Sequence, residues 1–144
     1  MQSMGRIVAI DYGMARLGIA LSDEQKIIVA KSFAIKAEKK PQLTAQKLQE
    51  ALAPFKVEKI IVGLPLHLDG NKSTLSEETL IFVSCLETLV SIPVISFDER
   101  LTTKQAERIL KEGNLSRKKR AQLVDAMSAT VLLECYLDYL SFNP

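Results

Sequence analysis

The sequence predicts an α/β fold built around one mixed β-sheet, and three observations support this prediction. Residues 7–10 are apolar on both sides, as in a strand buried in the middle of a sheet. A second apolar run, residues 17–21, follows after a turn too short for a helix, which favours an antiparallel hairpin. A helical segment then precedes the apolar run 59–64, the arrangement of a crossover to a parallel strand.

The remaining elements follow from hydrophobic periodicity and from residues that begin or end helices. Pro41 is tolerated in the first turn of a helix and Pro54 ends one, so residues 42–53 are predicted to be helical. Capping boxes mark the starts of two further helices: Thr74 with Glu77, and Thr102 with Gln105. The other predicted elements are strands at 26–35 and 93–97, a helix from 74 to about 91, a short helix at 103–111 and a long helix at 121–140.

Size and composition indicate one ordinary globular domain over residues 1–144. Apolar residues make up 47% of the chain and charged residues 25%, and a chain of this length buries enough surface to fold without disulfides. The net charge of +2 is too small to indicate a nucleic-acid partner by itself. The sequence has no apolar run of the length that spans a bilayer and no signal-peptide pattern, so we expect a cytoplasmic protein with no membrane partner.

The two cysteines, Cys85 and Cys135, each fall within an apolar helical pattern and are far apart in the sequence. This placement is typical of small apolar side chains in a core. We therefore expect buried free thiols rather than a disulfide or a metal site.

Asp11 ends the first strand at a position where packing alone would favour an apolar residue. It falls on the same side of the strand as Ile7 and Ala9, so its charge needs compensation by water, hydrogen-bond donors or a metal ion. Two interpretations stay open. Asp11 is either a turn carboxylate that accepts hydrogen bonds from the backbone after Gly13, or a metal or phosphate ligand at the carboxyl end of a strand.

Asp125 is a second carboxylate in an unusual place, near the start of an apolar stripe on the long helix. At about 100° per residue, the residues on this stripe are Ala121, Asp125, Ser128, Ala129, Leu132, Tyr136 and Leu140. The small residues one turn away let the helix approach the sheet closely. A buried carboxylate without a partner is costly, so Asp125 needs an arginine, backbone donors or a metal ion.

Acidic residues thus recur at three places that a site on a sheet would use: Asp11, the pair Asp98 and Glu99 after the fifth strand, and Asp125. Carboxylates that converge raise one another's pKa, whereas one or two Mg²⁺ ions would neutralise them. Two such ions can activate water and stabilise the leaving oxygen of a phosphodiester. The alternative is a set of separate ion pairs, for example with Arg100.

Four ordered segments match one known family and cover nearly the whole chain. They are IDYGMARLGIALSD at 10–23, IVGLPLHLDG at 61–70, FDERLTT at 97–103 and VDAMSATVLLE at 124–134. On these segments the chain resembles the YqgF family, also called RuvX, of the ribonuclease H-like superfamily. The resemblance implies a three-layer fold with a five-stranded mixed sheet in the order 3-2-1-4-5, flanked by helices.

The resemblance also implies a set of site residues. The catalytic carboxylates that hold the metal would be Asp11, Glu99 and Asp125, and Asp98 would be a further metal ligand. The residues expected to contact phosphates are Arg16, Arg100 and Thr102.

The function that the resemblance implies is hydrolysis of phosphodiester bonds by a nuclease dependent on Mg²⁺ or Mn²⁺. The family is associated with 5′-end maturation of pre-16S ribosomal RNA during ribosome biogenesis, and was earlier assigned to resolving four-way DNA junctions in recombination. A basic cluster before the long helix would position nucleic-acid phosphates without reading sequence, or else form a solvated helix entry. Its members are Arg117, Lys118, Lys119 and Arg120.

One position departs from the family pattern. Relatives usually carry Asn after the residue equivalent to Leu66, whereas this chain has His67, its only histidine. A loop histidine is more often a surface residue than a general base, so the role of this loop stays open.

Three alternatives compete with an rRNA nuclease. A junction resolvase needs a two-fold dimer, and Leu123, Met127 and Val131 could supply its contacts or pack within the monomer, so both monomer and homodimer remain open. A sugar-kinase-like phosphate site would need a second Asp-x-Gly, which the sequence lacks. A non-catalytic binding protein for ribosome assembly or transcription would be expected to have lost carboxylates that this chain retains.

Overall fold

A computed structural model describes residues 5–13, 15–64, 74–98 and 117–142, with side chains for 5–13, 15–63, 77–97 and 128–140. In chain order its elements are β1 (Arg6–Asp11), β2 (Arg16–Ser22), β3 (Val29–Lys36), α1 (Pro41–Leu52), β4 (Val57–Leu64), α2 (Thr74–Leu89), β5 (Val94–Asp98) and α3 (Arg117–Phe142). The predicted short helix at 103–111 lies outside the described residues.

The five strands form one mixed sheet in the order β3-β2-β1-β4-β5. The first three strands are an antiparallel meander, and β4 and β5 add in parallel to β1. This arrangement confirms the predicted hairpin, the helical crossover to a parallel strand and the sheet order implied by the family resemblance. β1 lies in the centre, which explains why its residues are apolar on both sides.

Each face of the sheet has its own apolar core. Val8 and Ile10 of β1 face α1 and α2, and they pack with Leu48 and Phe82. Ile7 and Ala9, together with Ile61 and Ala20, pack instead against Leu132 and its neighbours on α3. The alternation along β1 therefore assigns its odd-numbered residues to the α3 face.

The start of β3 differs from the prediction. The predicted strand included residues 26–28, whereas β3 begins at Val29 because Asp23 organises a turn before it. One carboxylate oxygen of Asp23 accepts hydrogen bonds from the backbone N–H groups of Ile27 and Ile28, at 2.7 and 3.0 Å. Lys26 adopts a left-handed conformation, with φ at 62°. Side-chain hydrogen bonding to the backbone thus outweighs the strand preference of the two isoleucines.

The helix bounds agree with the sequence prediction to within a few residues. Pro41 occupies the first turn of α1, and α2 ends at Leu89 rather than near residue 91. The helix α3 begins at Arg117, so the basic cluster belongs to its first turn instead of preceding it. Within the described residues, no helix combines the length and apolarity needed to cross a lipid bilayer.

Two smaller expectations concern single side chains. Cys85 and Cys135 are free thiols as predicted, but they are half-buried rather than fully buried. Val131, one of the residues considered for a dimer contact, is only 7% exposed and therefore packs within the monomer.

Candidate active site

Asp11 lies at the carboxyl end of the central strand, on the face that α3 covers. Ile7 and Ala9, which precede it at intervals of two residues, are both buried in the core under α3. Asp11 itself is only partly buried. Asp11 was predicted to share a face with Ile7 and Ala9, and the alternation of the strand places it on that face, which α3 covers.

The residues beside Asp11 on both neighbouring strands are glycines. Asp11 pairs with Gly18 of β2 and with Gly63 of β4. Directly paired residues share a face of the sheet, so neither residue directly opposite Asp11 carries a side chain. The sequence indicated the open position at Gly18, but the role of Gly63 depends on the pairing of β1 with β4. This row of the sheet can admit a ligand close to the carboxylate.

The turn between β1 and β2 has no space for a side chain at Gly13. A Cβ atom placed there would lie 2.5 Å from the backbone oxygen of Arg16. The end of β3 is tied to the same turn, since the N–H of Ala37 donates to the carbonyl oxygen of Ala15 at 2.9 Å. These contacts fix the chain immediately after Asp11.

Arg16 is the first residue of β2 and stands near Asp11 on the same face. It lies two positions before Gly18, and it pairs with Lys36 of β3. Its side chain is partly buried. A guanidinium at this place can contact a phosphate held at Asp11, because arginine presents several donors in a fixed geometry.

Tyr12 anchors the residue after Asp11 on the opposite face of the sheet. Its side chain is 4% exposed, and its ring centroid lies 4.8 Å from that of Phe82 on α2. Burial raises the pKa of the Tyr12 hydroxyl, and the nearby Glu78 and Cys85 raise it further. Tyr12 was not among the predicted site residues, although an aromatic residue between Asp11 and Gly13 is the sequence signal of such an anchor.

The sheet-facing stripe predicted on α3 is confirmed for the side chains that the structure describes there. Ser128, Ala129, Leu132 and Tyr136 are buried, and Leu140 packs against the same core. The hydroxyl oxygen of Ser128 is buried without a hydrogen-bond partner. The backbone of Asp125 belongs to α3, one turn before Ser128, and its side chain is outside the described part of the chain.

Several predicted site residues lie wholly or partly outside the described residues. The backbone of Asp98 ends β5, where it pairs with Leu64. The described ranges do not include the predicted residues Glu99, Arg100, Thr102 and His67, nor the side chains of Asp98, Arg117, Lys118, Lys119 and Arg120. Within those ranges, no three His, Cys, Asp or Glu side chains are close enough to hold a metal ion.

A family model described as "RuvX: Holliday junction resolvase" matches residues 5–139. The chain belongs to the RuvX family. Two relatives, both named "Putative pre-16S rRNA nuclease", match it along nearly their whole length. The protein of Protochlamydia amoebophila is 44% identical, over 92% of this chain and 93% of the relative. The protein of Syntrophomonas wolfei is 41% identical, over 92% of this chain and 94% of the relative.

The fold of this RuvX-family chain also resembles that of a solved nucleic-acid complex. The T. thermophilus RuvC protein in complex with a Holliday junction substrate aligns with a TM-score of 0.56, over 94% of this chain and 96% of that one. Because the two sequences are 16% identical, the likeness concerns the fold. It confirms the ribonuclease H-like architecture.

Proposed function

We propose that this protein is a nuclease that depends on a divalent metal and hydrolyses phosphodiester bonds during 5′-end processing of pre-16S rRNA. The observation that carries the proposal is the position of Asp11 between Gly18 and Gly63 at the carboxyl end of β1. Ligands of α/β sheets bind at such ends. The names of the relatives support the RNA substrate.

The direction of α3 supports Asp125 as a partner of Asp11. Near the other end of the helix, the hydroxyl of Tyr136 accepts a hydrogen bond from the amine of Lys59 at 2.9 Å, and Lys59 pairs with Ile7. Eleven residues of helix from Tyr136 back to Asp125 span about 16 Å. Four residues of strand from Ile7 to Asp11 span about 13 Å. On these spans, we propose that the backbone of Asp125 lies near the level of Asp11 on the α3 face.

The alternation of β5 favours Glu99 over Asp98 as the carboxylate from the Asp-Glu-Arg motif. Phe97 pairs with Gly63 in the same row as Asp11, and it packs against the core under α3. Strand positions alternate between faces, so a continuation of this pattern would give position 99, and not position 98, the face of Phe97. We propose Glu99 as the main metal ligand from this motif, with Asp98 in a supporting role.

The proposed ligands fit Mg²⁺ or Mn²⁺, because all of them are carboxylate oxygens. Asp11, Glu99 and Asp125 would hold the ions, which when bound neutralise the carboxylates, activate water and stabilise the leaving oxygen. The glycines beside Asp11 leave room for the substrate phosphate. Arg16 would orient that phosphate from the adjacent position on β2.

The remaining proposed contacts are to the nucleic-acid backbone. Besides Arg16, the residues proposed to contact phosphates are Arg100, Thr102, Arg117, Lys118, Lys119 and Arg120. Contacts to phosphates do not distinguish one base sequence from another. We further propose that residues 1–144 act as one domain in the cytoplasm.

Replacing Asp11 tests the proposal directly. Asp11→Asn removes the charge at almost constant volume, so we expect cleavage of a 5′-extended 16S precursor to fall at least about 10²-fold, the loss typical of one group that stabilises a transition state. Asp23→Asn is the matched control, because it makes the same change in the turn between β2 and β3. Cleavage should persist there. Full activity of Asp11→Asn with Mg²⁺ or Mn²⁺ would exclude the metal assignment.

A second candidate, resolution of four-way DNA junctions, is favoured by the description of the family model. Such an enzyme cuts two symmetric strands and needs paired sites in a dimer. Symmetric incision of a labelled junction by a dimeric protein, with the RNA left intact, would support it over the rRNA nuclease. If neither substrate is cut, the result favours a non-catalytic binding protein or a nuclease that requires a partner.

A further inference from the structure

The end of β3 and the connection to α1 carry a concentration of positive charge that the proposed site does not use. Between residues 36 and 47 the chain has four lysines and one acidic residue, Glu38, whereas the rest of the chain has one more acidic than basic residue. We call Lys36, Lys39, Lys40 and Lys47 the lysine edge. The first three are exposed.

The one acidic residue of this segment is already paired. The Lys47 amine lies 3.4 Å from a carboxylate oxygen of Glu38, and it also donates to the carbonyl oxygen of Lys36 at 2.8 Å. None of the described acidic side chains pairs with Lys36, Lys39 or Lys40. Their charge is therefore available to an external anion.

The lysine edge lies at the same end of the sheet as Asp11. Asp11 pairs with Gly18, and Gly18 pairs with Ala34, which makes one row across three strands. The next position on that face toward the carboxyl end of β1 holds the pair Arg16 and Lys36. From the spacings of a sheet, the Cα atoms of Lys36 and Asp11 are about 12 Å apart.

The start of α1 adds to this positive field. The helix begins after Lys40 with no acidic residue in its first turn and no side-chain cap. Helices favour acidic residues at this end, because the N-terminus of the dipole is positive. Here the two residues that immediately precede the helix are lysines, Lys39 and Lys40. The connection is also held in position, since the hydroxyl of Thr44 accepts from the N–H of Glu38 at 2.9 Å.

We infer that the lysine edge binds the phosphate backbone of the nucleic acid whose scissile phosphate lies at Asp11. A strand that passes Asp11 and Arg16 reaches Lys36, and then Lys39 and Lys40, at the edge of the sheet. The contacts are to phosphates, so they orient the substrate without reading its sequence. This inference rests on the proposed nuclease function and adds the direction in which the substrate leaves the site.

The test measures binding separately from cleavage. A fluorescein-labelled RNA duplex with a 5′ extension and a labelled four-way DNA junction are titrated by fluorescence anisotropy in EDTA, between 50 and 200 mM KCl. Two triple variants are compared: Lys36, Lys39 and Lys40 are all replaced by Gln in one and by Arg in the other. Lys36→Gln alone is compared with Lys56→Gln, an exposed lysine beside the amino end of β4.

Loss of three phosphate contacts should reduce the slope of log K against log salt by about 2 to 3, and Lys36→Gln alone should reduce it by about 0.7 to 0.9. The triple Arg variant and Lys56→Gln should keep the wild-type slope. The probe that shows the larger change, RNA or junction, is the nucleic acid that this edge follows.

The outcomes separate this inference from the proposed function. If the wild type binds and cuts RNA but the triple Gln variant keeps the wild-type slope, the lysine edge is excluded and the nuclease stands. If the slope falls but the wild type cuts neither probe when Mg²⁺ or Mn²⁺ is added, the lysine edge stands and the nuclease is excluded. A wild type that binds neither probe overturns both.

Discussion

The two ends of β1 differ in how the neighbouring residues surround the strand. At the amino end, neighbouring side chains complete the backbone hydrogen bonds. The hydroxyl of Ser22 accepts from the N–H of Ile7 at 2.9 Å, and the Arg6 guanidinium donates to the carbonyl oxygen of Ser22 at 2.8 Å. At the carboxyl end the pairing is regular, and glycines stand beside Asp11.

The register of the sheet explains this difference. Irregularities fall between Arg6 and Ile7 and between Leu21 and Ser22, where the ladder leaves backbone groups for side chains to satisfy. No such shift interrupts β1 at Asp11. The amino end thus holds the sheet together, whereas the carboxyl end keeps space around a carboxylate. We expect substitutions at the amino end to lower stability and substitutions at the carboxyl end to lower activity.

The largest difference between the two ends of β1 should come from replacing a glycine with alanine at each end. In Gly13→Ala, the new Cβ atom would meet the carbonyl oxygen of Arg16 at 2.5 Å, so the turn after Asp11 must move. A displacement of about 1 Å can reduce a rate about 10²-fold, and single-turnover cleavage would measure it.

Gly5→Ala is the matched variant at the other end of the strand. Its Cβ atom would lie 2.7 Å from the Cβ atom of Glu58, which pairs with Lys26 at 3.0 Å. Crowding of this kind costs about 1–3 kcal/mol of unfolding free energy, and activity should remain. A Gly13→Ala enzyme that cuts at the wild-type rate would contradict the contrast.

Removing the Ser22 hydroxyl should give an intermediate effect confined to stability. Ser22→Ala leaves the buried N–H of Ile7 without its acceptor, which costs about 1–3 kcal/mol. Urea unfolding would measure the change, with Ser32→Ala on the exposed surface of β3 as the control. Equal stability of the two variants would mean that the Ser22 hydroxyl contributes nothing to stability.

The smallest effect concerns pH and the turn at Asp23. Hydrogen bonds from the backbone, that from Ile28 first, hold the pKa of the Asp23 carboxyl below its usual range. The stability that these hydrogen bonds contribute is complete above about pH 3.9, the pKa of an aspartate carboxyl in the unfolded chain. It is lost as pH falls through the lower pKa that the carboxyl has in the folded protein. The difference in melting temperature between wild type and Asp23→Asn should therefore shrink on acidification. A constant difference from pH 7 to pH 2.5 would contradict this account.

The sequence alone was sufficient for the strands that carry strong hydrophobic patterns, and it was misleading where a side chain controls the backbone. Ile27 and Ile28 have the residue type of a strand, yet they are 68% and 60% exposed in the turn that Asp23 holds. Propensity favours a strand there, and a single carboxylate reverses it.

For the site, the face of Asp11 followed from the period of two along β1. Its neighbour Gly63 could not be identified in the same way, because β1 and β4 pair across a long stretch of sequence. Lys36 was missed for a related reason. Its proximity to Arg16 depends on the register of β2 with β3, and hydrophobic periodicity places each strand without fixing which residues pair.

The position of β3 at the edge of the sheet also bears on solubility. An edge strand offers unpaired N–H and C=O groups to any other chain that approaches it. Lys31 and Lys36 are exposed near the two ends of β3, so two molecules that met edge to edge would bring like charges together. Neutralising Lys36 would weaken that protection, and concentrated solutions of such a variant should aggregate sooner than the wild type.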